Sequence, residues 1–359
     1  MSKEWIFLGI ESSCDETAAS IVKEDKKGNV TILSNVVSSQ VEEHKPFGGV
    51  VPELAARSHV EKIDTIIKKA VQKSGVVLEN ITGVAATAGP GLLVCLMVGM
   101  SAGKTIATFL KKPFLAINHL EGHALTPRLI EKVKFPYLLL LISGGHSQFL
   151  EVQGVNKYKR LGTTIDDALG EAFDKTAKIL GIDFPGGPQI EEYAKLGDIN
   201  GFVLPKPILN KSGCNLSFAG LKTAVHHAYK KIKNKQDKYN LAASFQFTIN
   251  EILRVKSKKA MKLFLGNNKK NKINYFVIAG GVASNKTIRS NLQQVCKEMG
   301  FEYIFPPANL CTDNAAMIAW AGIERYKKNL IDDATFSARP RWPLDEKAPF
   351  LKGAGVDHS

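Results

Sequence analysis

The sequence has few cysteines and no hydrophobic run long enough to cross a membrane. Its five cysteines are scattered without a C-x-x-C pair, a pattern that is typical of reduced thiols in a cytoplasmic protein. The most membrane-like stretch, 83–100, is interrupted by Pro90, and its unbroken apolar part at 92–100 is about half of the roughly 20 residues that a span requires. A first strand is predicted from Trp5, which leaves no room for a signal peptide. We therefore expect a cytoplasmic protein that does not associate with membranes.

Acidic residues are scarce between Lys222 and Lys272, a segment that we call the basic belt. It holds 14 lysines and arginines but only two acids, Asp237 and Glu251, and so carries +12 of the chain's net charge of +14. Such a belt suits a polyanion such as a nucleic acid, because every phosphate that it neutralises releases a counterion. The same composition also occurs on solvated helix faces. The sequence leaves both interpretations open.

Low-complexity linkers are absent, and predicted strands alternate with predicted helices along the chain. A helix is predicted at 53–75, where apolar residues recur at helical spacing and a glycine ends the run. The turn in "LISGGHSQFL" is similar to the turn in "LGIESSCDETAASI", since each joins two predicted strands through small polar residues. This similarity indicates a duplicated phosphate-binding hairpin, one in each of two lobes. The whole pattern predicts an α/β protein with helices covering its sheets.

Two histidines stand one helical turn apart, directly after a strand predicted at 113–118. On a helix, His119 and His123 project from the same face. A metal-ligating pair has this arrangement, although such a pair also occurs without a metal. A zinc peptidase carries H-E-x-x-H, with the glutamate beside the metal-bound water. Here Glu121 lies two residues after the first histidine, about 200° around the helix, and faces away. The spacing argues against a peptidase, and any further metal ligand must come from elsewhere in the fold.

The segment "GMSAGKT" at 99–105 resembles a Walker A loop, whose pattern is G-x-x-x-x-G-K-[ST]. It has three residues between its glycines rather than four, and it follows an apolar run of helical character instead of a strand. We therefore expect Lys104 to lie on a helix and not in a phosphate-binding loop.

Glycine clusters lie at three predicted turns, namely "SGGH" (143–146), "PGGP" (185–188) and "AGGVASN" (279–285). Consecutive glycines let backbone N–H groups approach an anion without a Cβ in the way. The three clusters, together with the N-terminal "ESSCDET", are typical of a nucleotide cleft between two lobes. Asp174, on an amphipathic helix before the second cluster, is either an acceptor for ribose hydroxyls or a surface carboxylate. Asp313, at a predicted helix start, is either an N-cap or a third metal ligand.

The order of the motifs resembles that of the tRNA N6-adenosine threonylcarbamoyltransferase family, in its bacterial form. Older descriptions called this family O-sialoglycoprotein endopeptidases. The resemblance covers about residues 5–345 and rests on nine motifs in matching order: "GIESSCDETAASI", "GGVVPELAARSH", "NHLEGHA", "LISGGHSQF", "GEAFDKTAK", "FPGGP", "LSFAGLKTAV", "AGGVASN" and "CTDNAAMIA". Because the family has the actin and Hsp70-type ATPase fold, the resemblance implies a two-lobed α/β fold with duplicated mixed sheets flanked by helices.

The resemblance also implies how the chain is divided. An N-terminal lobe is expected at 1–120, completed by about 310–345 from the C-terminal part. A C-terminal lobe with the nucleotide loops is expected at 121–309, and a tail at 346–359.

Site residues are carried over from the family motifs in the same way. The resemblance makes His119, His123 and Asp313 the ligands of one divalent metal ion, with Fe(II) favoured and Zn(II) as the other candidate. Asp15 and Glu16, in the N-terminal hairpin, become candidates for a catalytic base or a substrate-orienting group. The residues implied to bind the adenylate substrate are Ile142, Ser143, Gly144, Gly145, His146, Asp174, Gly187, Glu191 and Asn285. Glu191 departs from the aspartate common in bacterial members, but either carboxylate can accept a hydrogen bond from a ribose hydroxyl.

The activity implied by the resemblance is an acyl transfer. The threonylcarbamoyl group of threonylcarbamoyl-AMP would pass to N6 of adenosine 37 in tRNAs that read ANN codons, with release of AMP. The implied partners are tRNA, a paralogous non-catalytic subunit and a small ATPase subunit. Two alternatives are a metallopeptidase and a nucleotide-dependent, chaperone-like binding module. An intact His119, His123 and Asp313 set separates the transferase from the chaperone-like module, which has no use for this set of ligands.

Overall fold

The computed structural model describes residues 3–349 and 351, and within them ten strands form two five-stranded sheets. The strands are β1 (Trp5–Glu11), β2 (Glu16–Glu24), β3 (Val30–Ser39), β4 (Gly83–Gly89), β5 (Phe114–Asn118), β6 (Tyr137–Ile142), β7 (Ser147–Gly154), β8 (Lys157–Thr163), β9 (Tyr275–Ala279) and β10 (Glu302–Ile304). The strand order is β3-β2-β1-β4-β5 in the first sheet and β10-β9-β6-β7-β8 in the second.

The second sheet repeats the topology of the first. β1 pairs antiparallel with β2 and parallel with β4, and β6 likewise pairs antiparallel with β7 and parallel with β9. Every residue of β4 and of β6 is buried, as expected for central strands covered by helices on both faces. The predicted duplication of the N-terminal hairpin, and the α/β fold with two mixed sheets, are therefore confirmed.

The described residues also contain eleven α-helices, which lie between or after the strands. They are α1 (Val41–His44), α2 (Pro52–Ser74), α3 (Leu93–Phe109), α4 (His119–Ile130), α5 (Leu169–Leu180), α6 (Gly186–Ala194), α7 (Ala219–Tyr229), α8 (Lys235–Asn267), α9 (Lys286–Met299), α10 (Ala308–Cys311) and α11 (Ala315–Tyr326). Local sequence explains the ends of the helix predicted at 53–75. Pro52 fits the first turn, where its missing N–H is not needed, and Gly75 ends the helix with a φ of 67°.

The chain forms two compact units. The first holds the described residues up to Val133, with Gly154–Lys157 and Thr312–Glu346; the second holds Lys134–Gln153 and Tyr158–Cys311. Within the first unit α4 packs on α11, where Trp320 Nε1 donates a hydrogen bond to the carbonyl of Leu125 at 3.2 Å. Of the expected tail at 346–359, residues 350 and 352–359 lie outside the described residues.

The segment with the Walker-like pattern lies inside α3. Its glycines serve helix packing, since a Cβ at Gly99 would lie 2.3 Å from Ser12 Oγ and one at Gly103 would lie 3.1 Å from the Ala86 Cβ. The expectation that this segment forms a helix is confirmed. Among the helices of the described part of the chain, none combines the length and the apolar character that a membrane crossing requires.

Candidate functional site

The two histidines stand where β5 passes directly into α4. Asn118 caps the helix, because its Oδ1 accepts hydrogen bonds from the N–H groups of Leu120 at 2.9 Å and Glu121 at 3.4 Å. His119 is the first residue of α4 and His123 follows one turn later. The two imidazole rings meet edge to face with their centroids 4.9 Å apart. Both rings are buried, so the first turn of α4 presents two nitrogen ligands side by side.

Asp313 completes a group of three potential metal ligands. Its Oδ1 lies 3.3 Å from His119 Nε2 and 3.1 Å from His123 Nε2. The ligand atoms of the three side chains lie within 4.8 Å of one another, and no other group of this kind occurs in residues 3–349 or at 351. The N-cap interpretation of Asp313 is wrong, because the side chain of Asn314 caps α11 by accepting from the N–H of Met317.

Glu11, at the end of β1, contacts the Nδ1 side of the His119 ring. It was not among the site residues expected from the sequence. Its Oε2 is 3.0 Å from His119 Nδ1 and accepts a hydrogen bond from Thr87 Oγ1 at 2.6 Å. Its Oε1 accepts from the N–H of Ser13 at 2.6 Å. Glu11 is fully buried, and its side chain is therefore fixed by hydrogen bonds on both oxygens.

Electrostatics favour the ionised form of both carboxylates around His119. Burial would raise the pKa of Asp313, but the neighbouring His119 and His123 hold it far below its usual range. Burial also opposes ionisation of Glu11, yet His119 lowers the pKa of this carboxyl. For His119 itself, burial acts to lower the pKa, but the Asp313 and Glu11 carboxylates raise it well above its usual range. The two ionised carboxylates therefore favour positive charge next to His119.

Glu121 points away from this cluster, as the helical spacing predicts. Its Oε2 forms an ion pair with Arg325 Nη1 at 2.9 Å, and its Oε1 accepts from the N–H of Asn156 at 2.9 Å. Both side chains of the pair are buried. The glutamate that a peptidase of the H-E-x-x-H type would use as its base serves here as a partner for a buried arginine.

Asp15 and Glu16 lie at the turn between β1 and β2, in the same unit as the histidines. The carbonyl of Asp15 accepts a hydrogen bond from the N–H of Gln40 at 3.0 Å, which ties the turn to the start of α1. Burial, followed by the neighbouring Asp313 and Asp15 carboxylates, raises the pKa of Glu16 well above its usual range. Carboxyl groups with a raised pKa are common at sites of acid–base chemistry.

The loop Ile142–His146 connects β6 to β7 in the second unit. It is closed by two hydrogen bonds: the N–H of Ser143 donates to the carbonyl of His146 at 2.8 Å, and the N–H of His146 donates to Ser143 Oγ at 3.1 Å. A Cβ added at Gly144 or at Gly145 would meet nothing within 4 Å. The tip of the loop is therefore open, and its backbone is accessible to a ligand.

Gly280 shows why a second glycine cluster lies beside this loop. It has a φ of 94°, and a Cβ there would lie 2.4 Å from the carbonyl oxygen of Ile142. Only glycine allows both the backbone conformation and the close approach. The clusters at 143–146 and 279–285 are thus brought together by the pairing of β6 with β9.

The other expected adenylate-binding residues also lie in the second unit, on α5, α6 and the start of α9. Asp174 Oδ1 accepts from the N–H of Gly186 at 2.8 Å, next to Gly187, where an added Cβ would have open space. Glu191 Oε1 accepts from the N–H of Thr287 at 3.1 Å. Asn285 caps α9, and its Nδ2 donates to Gln246 Oε1 at 2.9 Å. The metal-ligand group and the expected nucleotide residues therefore belong to different compact units.

The basic belt is less uniform than its composition indicates. Lys256 is fully buried, and Lys259 donates to the backbone carbonyls of Leu209 and Lys211. Arg254 and Lys258 both pair with Glu298. The exposed lysines of the belt lie near its two ends and are Lys230, Lys231, Lys233, Lys235, Lys262, Lys269, Lys270 and Lys272.

Comparisons with known proteins agree with this geometry. A family model described as tRNA N6-adenosine threonylcarbamoyltransferase matches residues 31–320. A protein of that name from Pelagibacter ubique is 66% identical over 356 residues, which is 99% of each chain. Another, from Sinorhizobium medicae, is 52% identical over 97% of this chain and 98% of the relative. The chain belongs to the tRNA N6-adenosine threonylcarbamoyltransferase family.

Solved structures support the fold that is expected for this family. The chain is similar to HypF from T. kodakarensis, with a TM-score of 0.58 and 12% identity over 91% of this chain and 48% of that one. Full-length HypF in its phosphate- and nucleotide-bound form gives a TM-score of 0.56 at 14% identity, over 92% and 47% of the two chains. At these identities the likeness concerns the fold alone, and it confirms the actin and Hsp70-type architecture.

Proposed function

We propose that the chain transfers the threonylcarbamoyl group of threonylcarbamoyl-AMP to N6 of adenosine 37 in tRNAs that read ANN codons, releasing AMP. The observation that carries the proposal is the group of His119, His123 and Asp313, in which both histidines are buried, in a chain that matches this family over nearly its whole length. The N6 lone pair of adenine is delocalised into the ring, so the amine is a poor nucleophile. Activation of the donor and close positioning of both substrates must lower the barrier.

One divalent cation fits the three side chains. Two imidazoles and a carboxylate form a common ligand set for Fe(II) and Zn(II). With both imidazoles neutral, the buried Glu11 and the half-buried Asp313 leave two negative charges beside His119, and a buried charge requires a partner. We favour Fe(II), with Zn(II) as the other candidate. When bound, the metal would supply a Lewis acid for oxygens of the activated acyl group.

We assign the adenylate to the glycine loops of the second unit. The open backbone at Gly144 and Gly145 supports phosphate binding, because N–H groups there are not covered by a side chain. Asp174 and Glu191 would accept hydrogen bonds from ribose hydroxyls, and Gly187 and Asn285 would line the same site. In the first unit, Asp15 and Glu16 remain candidates for a general base or for orienting the substrate amine, and the raised pKa of Glu16 supports such a role.

A paralogous non-catalytic subunit and a small ATPase are the proposed protein partners. An exposed apolar groove of about 670 Å³ supports a protein partner of this unit. It is lined by the N-terminal part of α2 and the start of α3 and includes Val60 and Val94, of which 64% and 58% are exposed. Apolar surface of this kind commonly marks an interaction site. Replacing both valines with glutamate should prevent co-purification with the non-catalytic subunit.

The lobe limits at 1–120, 121–309 and 310–345 remain part of this proposal, as does location in the cytoplasm, where tRNA is available. The metallopeptidase alternative is not favoured, because Glu121 pairs with Arg325 and is turned from the histidines.

A labelled-substrate assay tests the proposed function. Threonylcarbamoyl-AMP with a radiolabelled threonyl group is incubated with the chain, its partner subunits and a tRNA transcript that carries adenosine 37. Label should enter this transcript and not a matched transcript with guanosine at position 37. Equal labelling of the two transcripts, or labelling of neither, would refute the proposal.

A further inference from the structure

Glu11 is a buried carboxylate to which the family resemblance assigned no role. Three donors converge on it from different segments: the side chains of His119 and Thr87 on Oε2, and the backbone N–H of Ser13 on Oε1. The parallel pairing of β1 with β4, in which Ile10 lies opposite Ala86, brings Thr87 next to Glu11. The carboxylate is thus held by the sheet and not by a mobile loop.

These contacts define which nitrogen of His119 carries a proton. An ionised carboxylate can only accept hydrogen bonds, so His119 Nδ1 donates to Glu11 Oε2 at 3.0 Å. The hydroxyl of Ser13, at 3.2 Å from the same nitrogen, is a second acceptor for that proton. In the neutral imidazole that metal binding requires, the lone pair then lies on Nε2, the nitrogen that is 3.3 Å from Asp313 Oδ1.

We propose that Glu11 is a positioning residue for the metal centre, which fixes the tautomer and the ring orientation of His119 so that Nε2 faces the ion. This proposal rests on metal binding by His119, His123 and Asp313 as proposed above. A histidine ligand that donates its other N–H to a carboxylate is held in place and becomes a stronger ligand. Glu11 also contributes a buried negative charge on the Nδ1 side of the His119 ring.

The hydrogen bonds show why glutamine cannot replace this carboxylate. A glutamine side chain has one acceptor oxygen and one donor NH2 group. If its oxygen faces His119 and Thr87, its NH2 group faces the N–H of Ser13; in the other orientation, the NH2 group faces the proton of His119 Nδ1. Either orientation sets two donors against each other, at Ser13 or at His119, and both remove the negative charge next to the imidazole.

The first test measures the binding of Co(II) alone to the purified chain by competition with a chelator, with visible absorption as the spectroscopic signal. Glu11→Gln should weaken Co(II) binding by roughly 10- to 100-fold and change the absorption band of the bound ion. Glu121→Gln is the matched control. It makes the same chemical change at a buried carboxylate on the helix that carries both histidines, but its oxygens contact Arg325 and the backbone of Asn156. It should keep the wild-type Co(II) affinity and spectrum.

A second measurement uses the wild-type protein and does not depend on the folding of a variant. Long-range ¹H–¹⁵N spectra of the Zn(II)-loaded chain report the tautomer of each histidine. The proposal predicts a protonated Nδ1 and a metal-bound Nε2 for His119. A metal-bound Nδ1, or Glu11→Gln with wild-type Co(II) affinity and absorption, would overturn the role of Glu11 while leaving the metal site intact. A wild-type chain that binds neither ion would instead refute the metal site itself.

Discussion

Glu121 Oε2 lies 2.9 Å from Arg325 Nη1, and this ion pair joins α4 to α11 beneath the two histidines. The pair explains why a glutamate can stand between two potential metal ligands without taking part in their chemistry. Removing one partner leaves an uncompensated charge in the interior.

Replacing Glu121 with glutamine should lower the free energy of unfolding by about 3 kcal/mol or less, because the buried Arg325 then keeps only its longer ion pair with Asp332, at 3.9 Å. The metal content per folded chain should not change. Denaturant unfolding together with elemental analysis measures both quantities. Loss of the metal at wild-type stability would contradict the structural role of Glu121.

Metal binding by the group of three is tested by alanine substitution at His123 or Asp313. Each variant should lose the bound metal and at least about 100-fold in transfer rate, because the metal is expected to stabilise the charge that develops in the reaction. Thermal unfolding of Asp313→Ala should stay close to that of the wild type, since Asp313 does not cap α11. Purified wild-type protein that contains neither iron nor zinc and is fully active would contradict this prediction.

Nucleotide binding at the β6–β7 loop is tested by Gly145→Val. The structure has room for the new side chain, so the fold should be unaffected while the approach to the backbone is blocked. Affinity for the adenylate should fall by about tenfold or more, as measured by calorimetry. Gly266→Val is the control. Gly266 lies on α8, and a Cβ added there also meets nothing within 4 Å. Equal affinities of the two variants would show that the loop is only a turn.

Binding of tRNA by the basic belt is tested by the triple charge reversal of Lys230, Lys231 and Lys233 to glutamate. These exposed lysines should lie near phosphates, so tRNA affinity should fall and its logarithmic salt dependence should flatten by roughly 0.7 to 0.9 per lost contact. Adenylate affinity should not change.

The matched control for the belt is the same reversal at Lys68, Lys69 and Lys73, three exposed lysines of α2. Filter binding across a salt series compares the two variants. If both weaken tRNA binding to the same extent, the belt has no specific role and net charge alone explains the affinity.

The fold could be predicted from the sequence because the signals are local. Apolar runs that end in small polar turns predicted the hairpins of β1 with β2 and of β6 with β7, and the spacing of His119 and His123 predicted their common face. These features depend on the helical and strand periods, which a single sequence displays directly.

Residues that meet only through the tertiary fold were harder to predict. Asp313 was assigned to the metal by family resemblance, since nothing local distinguishes it from an N-cap. Glu11 was missed because its contact with His119 depends on the order β1-β4-β5, which aligns the carboxyl ends of three parallel strands. The sequence did contain one signal for it, namely a charged residue at the end of an otherwise apolar strand. Lys256 was placed on a basic surface by composition, yet the helical period of α8 turns it inward.

The central claim is tested most directly by nucleoside analysis of the reaction product. Unmodified tRNA is incubated with threonylcarbamoyl-AMP, the partner subunits and either the wild-type chain or Asp313→Ala, then digested and analysed by mass spectrometry. Adenosine that carries the threonylcarbamoyl group should appear with the wild-type chain, with one AMP released per modified nucleoside, and should be nearly absent with Asp313→Ala. Equal product with both chains, or none with the wild type, would contradict the account.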